Sequence, residues 1–132
     1  MSKITRGDPP NLKNVRKGVY HHYIRVDNPG TMIFLSGQLA RDANGDLVGA
    51  GDMAEQTRQC IRNMRTVLEA AGGTLEDIVA VTVYTTDIRE FRNITSARRE
   101  FFIDKLPTST IVEVNHLADP GLMIEIQAIA VL

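Results

Sequence analysis

The sequence has no tryptophan, a single cysteine and few aromatic residues of any kind, 5% in all. A lone cysteine, Cys60, forms no internal disulfide, so the fold must rest on its core, and a reducing, cytoplasmic setting is expected. No apolar run approaches the roughly 20 residues that span a bilayer. The opening Met1-Ser2-Lys3-Ile4-Thr5-Arg6 lacks the apolar stretch of a secretory signal. Neither charge sign is in excess: 15 Lys and Arg stand against 16 Asp and Glu, a formal net charge of −1. Nucleic-acid modules are usually basic, so this balance argues against such a partner, and the short apolar runs argue against a membrane. Internal repeats and low-complexity tracts are missing as well.

What is present is ordinary globular material. With 43% hydrophobic and 23% charged residues, the 132-residue chain fits one domain and can bury about two-thirds of its unfolded surface. Residues 1–18, punctuated by Gly7, Pro9, Pro10, Asn11 and Asn14, read as a flexible N-terminal tail. Residues 19–132 form the domain.

Val19 to Val26 and Thr31 to Ser36 read as strands joined in a hairpin through Asp27-Asn28-Pro29-Gly30. Asn44-Gly45 marks a tight turn before a short strand around Leu47 and Val48. Asp52 caps a helix, with Glu55 completing a capping box. Its apolar stripe runs through Met53, Cys60, Ile61, Met64, Val67, Leu68 and Ala71 to a Gly72-Gly73 stop. Ile78 to Thr86 is rich in β-branched residues and reads as a strand. A second helix starts at Asp87, turns Phe91, Ile94, Phe101 and Phe102 inward, and stops near Lys105 before Leu106-Pro107. Strands at Thr110–Leu117 and Leu122–Leu132 close the chain.

The expected fold is an α+β sandwich, a mixed sheet with two helices on one face. The last strand is apolar on both sides. Leu122, Ile124, Ile126, Ala128 and Ala130 alternate with Met123, Glu125, Gln127, Ile129 and Val131. Two helices cover only one face, so the other is expected to meet further copies of the chain.

Few residues announce chemistry. His21 and His22 are adjacent and His116 is remote, and no Cys-x-x-Cys or His-x-x-x-His pattern occurs, so no metal site is expected. Cys60 sits on the apolar stripe, where cysteine acts as a small hydrophobe. No nucleophile elbow or phosphate loop is present. Glu113 and Glu125 are the odd residues of the closing strands, and a carboxylate in so apolar a run is costly unless it is paired or used.

Several segments, in order and spacing, resemble the RidA/YjgF family of enamine/imine deaminases. They are Ser36-Gly37-Gln38, Gln56-Thr57-x-x-Cys60-x-x-Asn63, Ala71-Gly72, Val81-Thr82-Val83-Tyr84 with Asp87, and Phe101-Phe102. Pro107-Thr108-Ser109-Thr110, Val112-Glu113-Val114 and Ile124-Glu125-Ile126-Gln127-Ala128-Ile129-Ala130 complete the set. The resemblance implies a chorismate-mutase-like fold and a homotrimer whose sheets form a central barrel, with small-molecule ligands bound at subunit interfaces. It implies hydrolysis of reactive enamines or imines to a keto compound and ammonia, with no cofactor. By position it assigns Glu125 to placing or activating water. Tyr23, Ser36, Gly37, Thr108, Ser109, Thr110 and Ile111 fall to the pocket, with Tyr20 close enough to compete with Tyr23. The departure is at Ser109, where archetypal members carry the arginine that clamps the substrate carboxylate; Arg98 and Arg25 are the candidates to supply charge from elsewhere. The chain is thus expected to be a deaminase for a non-archetypal substrate or, alternatively, a non-catalytic metabolite-binding, chaperone or regulatory trimer.

Overall fold

Strand β6 (Ile124–Val131) holds the domain together, because it is hydrogen-bonded along both edges. In the computed structural model, which describes residues 2–132, β6 runs antiparallel to β3 (Met32–Leu39) on one side and to β4 (Ile78–Thr85) on the other. Strand β5 (Thr108–Glu113) lies parallel to β4 at the far edge, so the sheet is mixed, in the order β3-β6-β4-β5. Parallel neighbours need a crossover, and here it is helix α2 (Phe91–Arg99). Both α2 and α1 (Met53–Ala70) pack on the same face of the sheet.

Alternation in the strands sorts the two faces. Ile124, Ile126, Ala128 and Ala130 join Val81 and Val83 in the core, against Cys60, Ile61, Met64 and Leu68 of α1. The opposite face carries Glu125, Gln127 and Ile129 and leaves Phe34 70% and Met32 48% exposed. Large apolar side chains so exposed are unusual on the surface of a lone domain.

Helix α1 starts and stops where the sequence indicates. Asp52 Oδ1 accepts from the Glu55 N–H at 3.0 Å. At the other end Gly72 takes φ +89° and the Gly73 N–H donates to the Leu68 carbonyl at 2.8 Å. Helix α2 ends at Arg99, six residues before the expected stop near Lys105. The Phe101 and Phe102 N–H groups both fold back to the Arg98 carbonyl, and the chain then turns to bury Phe102 and Leu106. The short strand expected near Leu47 and Val48 amounts to one bridge, Arg41 with Leu47.

The N-terminal region differs more. Lys3–Gly7 form β1, which pairs antiparallel with β2 (Tyr23–Asp27), so β2 and β3 do not make the expected hairpin. The glycine, proline and asparagine punctuation of residues 1–18 reads as a free tail. Polar contacts hold it instead. Asp8 accepts from Nδ1 of His21 and of His22, both at 2.9 Å, from the His22 N–H at 2.9 Å and from Asn14 Nδ2 at 3.1 Å. Residues 21 and 22 precede β2, which lets the two imidazoles turn to one carboxylate rather than to opposite faces. The His21 N–H donates to the Pro107 carbonyl at 3.1 Å, and Val19 is buried. Residues 15–20 therefore lie as a strap beside β5 and α2. No helix among the described residues is long and apolar enough to cross a membrane.

Gln56 connects this scaffold to β6. It is fully buried; Nε2 donates to the carbonyls of Gly49 at 3.1 Å and Gly121 at 2.9 Å, and Oε1 accepts from the Met123 N–H at 2.8 Å. One amide thus fixes the chain two residues before Glu125. Gln56→Leu leaves the Gly121 carbonyl and the Met123 N–H unpaired, at about 1–3 kcal/mol each, while the Gly49 carbonyl keeps the Asp52 N–H. Urea unfolding should show a loss on the order of 3 kcal/mol, and an unchanged midpoint would show that these bonds add nothing.

The Asp8 carboxyl is held well below the usual carboxylate range, chiefly by the His22 backbone N–H and then by the His21 side chain. A carboxyl depressed in the folded state adds stability above its unfolded value, near 4, and loses it as pH falls toward the folded value. In Asp8→Asn the β1 amides should therefore exchange faster than wild type at pH 7, with the difference shrinking below about pH 4. Equal exchange at pH 7 would mean that other contacts tie β1 down.

Candidate functional site

The residues singled out from the sequence fall on both faces of the sheet. A bulge in β3 between Leu35 and Gln38 brings Ser36 and Gly37 alongside β6, where Leu39 pairs with Glu125. A Cβ on Gly37 would run into the Glu125 carboxylate, so the glycine is the space in which the carboxylate lies. Gly37 does not take a positive φ; close approach, not backbone conformation, is what glycine supplies here. Among the described residues Glu125 makes no hydrogen bond and no ion pair through its carboxylate. Thr110 shares this open face by register, in a row with Thr82 and Gln127. Thr108 lies at the start of the same edge, but its hydroxyl donates to the Val79 carbonyl at 2.9 Å and is occupied.

Ser109 and Ile111 point the other way. They sit beside Val81 and Val83, on the helix side of β5, where Ile111 packs against the core. There a pocket of about 350 Å³ opens between β5, α2 and the strap. Tyr20, Phe91, Arg98, Ser109 and Ile111 line it, together with Val15, Arg16 and Val19 from the strap. Tyr23 is not in this pocket: its ring lies over Gly7 in the two-stranded sheet, and Tyr20 takes the place by the pocket. Arg25 is exposed and paired with Asp27, away from the pocket.

Arg98 dominates the pocket electrostatically. It is only 5% exposed. Nη1 donates to Ser109 Oγ at 3.0 Å, Nη2 has no partner, and no carboxylate pairs with the guanidinium among the described residues. Burial pushes its pKa down to about 10, which leaves it charged at neutral pH. Arg16 lies at the rim with its Cζ 4.4 Å from the centroid of the Phe91 ring. Sequence reasoning left Arg98 as one of two candidates. The stronger signal was its spacing, since Phe91, Ile94 and Arg98 fall on one helical face and an arginine on an inward face needs an anion or a hydrogen-bonded neighbour.

Cys60 is excluded as a nucleophile. It is fully buried, its Sγ faces the Ile124 carbonyl, and burial pushes the thiol up to about 12, with the Glu125 charge adding to the shift.

A mixed sheet covered on one face by two helices, with the Glu125 carboxylate on the other, defines the chain as an α+β protein. The family model described as Endoribonuclease L-PSP matches residues 14–132. The chain belongs to this family, that of the RidA/YjgF proteins. It is 31% identical to the 3-aminoacrylate deaminase RutC of Acinetobacter baylyi, over 96% of this chain and 94% of that one. It is also 31% identical to the human 2-iminobutanoate/2-iminopropanoate deaminase, over 86% of this chain and 80% of that one. Among solved structures, the Rid-family protein YyfB from Yersinia pestis superposes with a TM-score of 0.87 at 31% identity, covering 98% of each chain.

Because the colliding atoms belong to the flexible end of a side chain, Gly37→Ala should move the Glu125 carboxylate rather than unfold the protein. A crystal structure of the variant should show a new Glu125 rotamer, with Tm changed by only a few degrees. A retained rotamer with a backbone shift at residue 37 would contradict this.

Proposed function

We propose that the chain hydrolyses an enamine or imine to a keto compound and ammonia, in clefts formed where copies of the chain meet. The observation that carries this reading is Glu125, an unpaired carboxylate laid over the bare backbone of Gly37 on the open sheet face. The activities named for the two 31% identical relatives support the reaction class. The exposed Phe34 and Met32 support burial of that face against further copies, and the resemblance makes the number three. Glu125 lies on one side of the sheet and Ser109 with Arg98 on the other, so a cleft containing both needs a second copy.

The chemistry needs little machinery. The enamine tautomerises to the imine. Glu125 orients a water molecule and takes its proton as the oxygen attacks the imine carbon. That proton passes to the imine nitrogen to give a carbinolamine; Glu125 then relays the proton of the new hydroxyl to the same nitrogen, the C–N bond breaks, and ammonia leaves as the carbonyl forms. Ser36 and Gly37 border the carboxylate, and the Thr110 side lies along the same face.

The uncharged Ser109 favours a second reading, in which the same cleft holds a metabolite without turning it over. Cleavage of RNA, which the family description mentions, has less support here, since the chain has a net charge of −1 and no basic surplus to track a phosphate backbone.

Ammonia release from 2-aminoacrylate, generated in place by a serine dehydratase, tests the proposal. Wild type should accelerate release above the spontaneous rate. Glu125→Gln should reduce it at least a hundredfold, within the range of general acid–base contributions, with the oligomer intact. Release at the spontaneous rate by wild type, from 2-aminoacrylate and from the enamine of a bulkier 2-amino acid alike, would favour the binding reading, and an unaffected Glu125→Gln would remove that residue from the chemistry.

A further inference from the structure

We propose that Arg98, presented by α2, holds the anionic end of this chain's ligand, and that the ligand is an organic carboxylate with a bulky apolar body. The inference rests on the reading above only in taking the pocket beside β5 as part of the reaction site.

A buried guanidinium is ordinarily paired with a carboxylate. Arg98 has instead one neutral acceptor, Ser109 Oγ, and an Nη2 with no partner. None of the residues lining the pocket is acidic, and a second cation, Arg16, stands at its rim. On the same side of β5, Glu113 accepts from the Ile88 N–H at 3.0 Å. Two positive charges without a counter-charge select an anion.

The rest of the lining selects the body. Phe91, Ile88, Ile111, Val15 and Val19 are apolar, and only Tyr20 and Ser109 add hydroxyls. Such walls favour an organic anion over free phosphate. Size points the same way. A three-carbon acid occupies on the order of 100 Å³ by comparison with ~30 Å³ per water, whereas the pocket holds about 350 Å³. A small residue at position 109 leaves the strand side of the pocket open, and the cation reaches in from the helix. A planar fork with a free edge then suits a carboxylate better than a lysine ammonium would.

Calorimetry on the purified full chain tests this, with phenylacetate, phenylacetamide, acetate and inorganic phosphate as probes. Phenylacetate should bind at least tenfold more tightly than each of the other three. Arg98→Met should weaken phenylacetate at least tenfold while Tm holds or rises, because an unpaired buried charge is removed. If that variant fails to fold, Arg98→Gln, which can still bond Ser109, should show the same loss. Arg62→Gln, on the outer face of α1, serves as the control and should bind as wild type. Unchanged phenylacetate binding in the Arg98 variants would overturn the proposal, as would phosphate or acetate binding as tightly as phenylacetate. The readout does not need turnover. Arg98-dependent binding in a protein that never releases ammonia would leave this inference standing and sink the deaminase reading. Turnover of a carboxylate substrate with KM unchanged in Arg98→Gln would do the reverse.

Discussion

Strand β6 is hydrogen-bonded on both edges, so its residues have only two places to go, and the period-two alternation of a strand assigns them strictly. Ile124, Ile126, Ala128 and Ala130 are sent into the core beneath α1, and the residues between them are sent to the open face. A slip of one residue would place Glu125 among Met64 and Leu68 and expose four core residues to water. The register that excludes water from the core is therefore the same register that puts a carboxylate against Gly37. Gln56 adds a second constraint on that register, since its amide meets the backbone at Met123, where β6 is about to begin.

Much of this follows from side-chain pattern. The cap at Asp52, the glycine stop of α1 and the alternation of β6 are all written in local sequence, because each depends on neighbours three, four or two positions away. The N-terminal strand was not legible for the opposite reason. β1 is held by Asp8 reaching residues 13 and 14 positions later and by backbone pairing with β2, and neither leaves a periodic trace. The hairpin expected between Val26 and Thr31 failed on the same ground: the Asp27-Asn28-Pro29-Gly30 turn is real, with Asn28 at φ 51°, but it passes the chain from one sheet to the other. At the site, the resemblance singled out Gly37 and Glu125 separately; their contact depends on the pairing of β3 with β6 and was not read in the residues. Nor was the place of Tyr20 beside the pocket, which depends on where β2 starts.

The two faces of β5 divide the candidate site in a way that spacing alone cannot show. Thr108, Ser109, Thr110 and Ile111 are consecutive, yet adjacent strand residues face opposite sides. Thr110 stands with the row that leads to Glu125, and Ser109 stands with Arg98 under the strap. Four neighbouring residues assigned to one pocket thus belong to two surfaces of a single chain, which is the arrangement expected where a cleft is shared between copies.

Arg98 then raises an energetic question that the fold of one chain does not answer. Withdrawing a guanidinium from water carries a penalty of several kcal/mol even after relaxation, and a single hydrogen bond made by a charged group contributes about 1.5–3 kcal/mol. The Ser109 contact therefore does not offset the burial of the charge, and burial is what lowers the Arg98 pKa. An arginine on β5 would face the same penalty, but its cation would rise from the strand floor and fill the volume that Ser109 leaves empty. The cation on α2 supplies positive potential while the small Ser109 leaves the strand side of the pocket open. The folded chain then carries an electrostatic demand that an entering carboxylate meets, so anion binding and stability are linked: any ligand that pairs with Arg98 stabilises the native state by mass action. Selectivity follows from the same exchange, because the space released on the strand side is bounded by Phe91 and Ile111 and rewards an apolar body attached to that carboxylate.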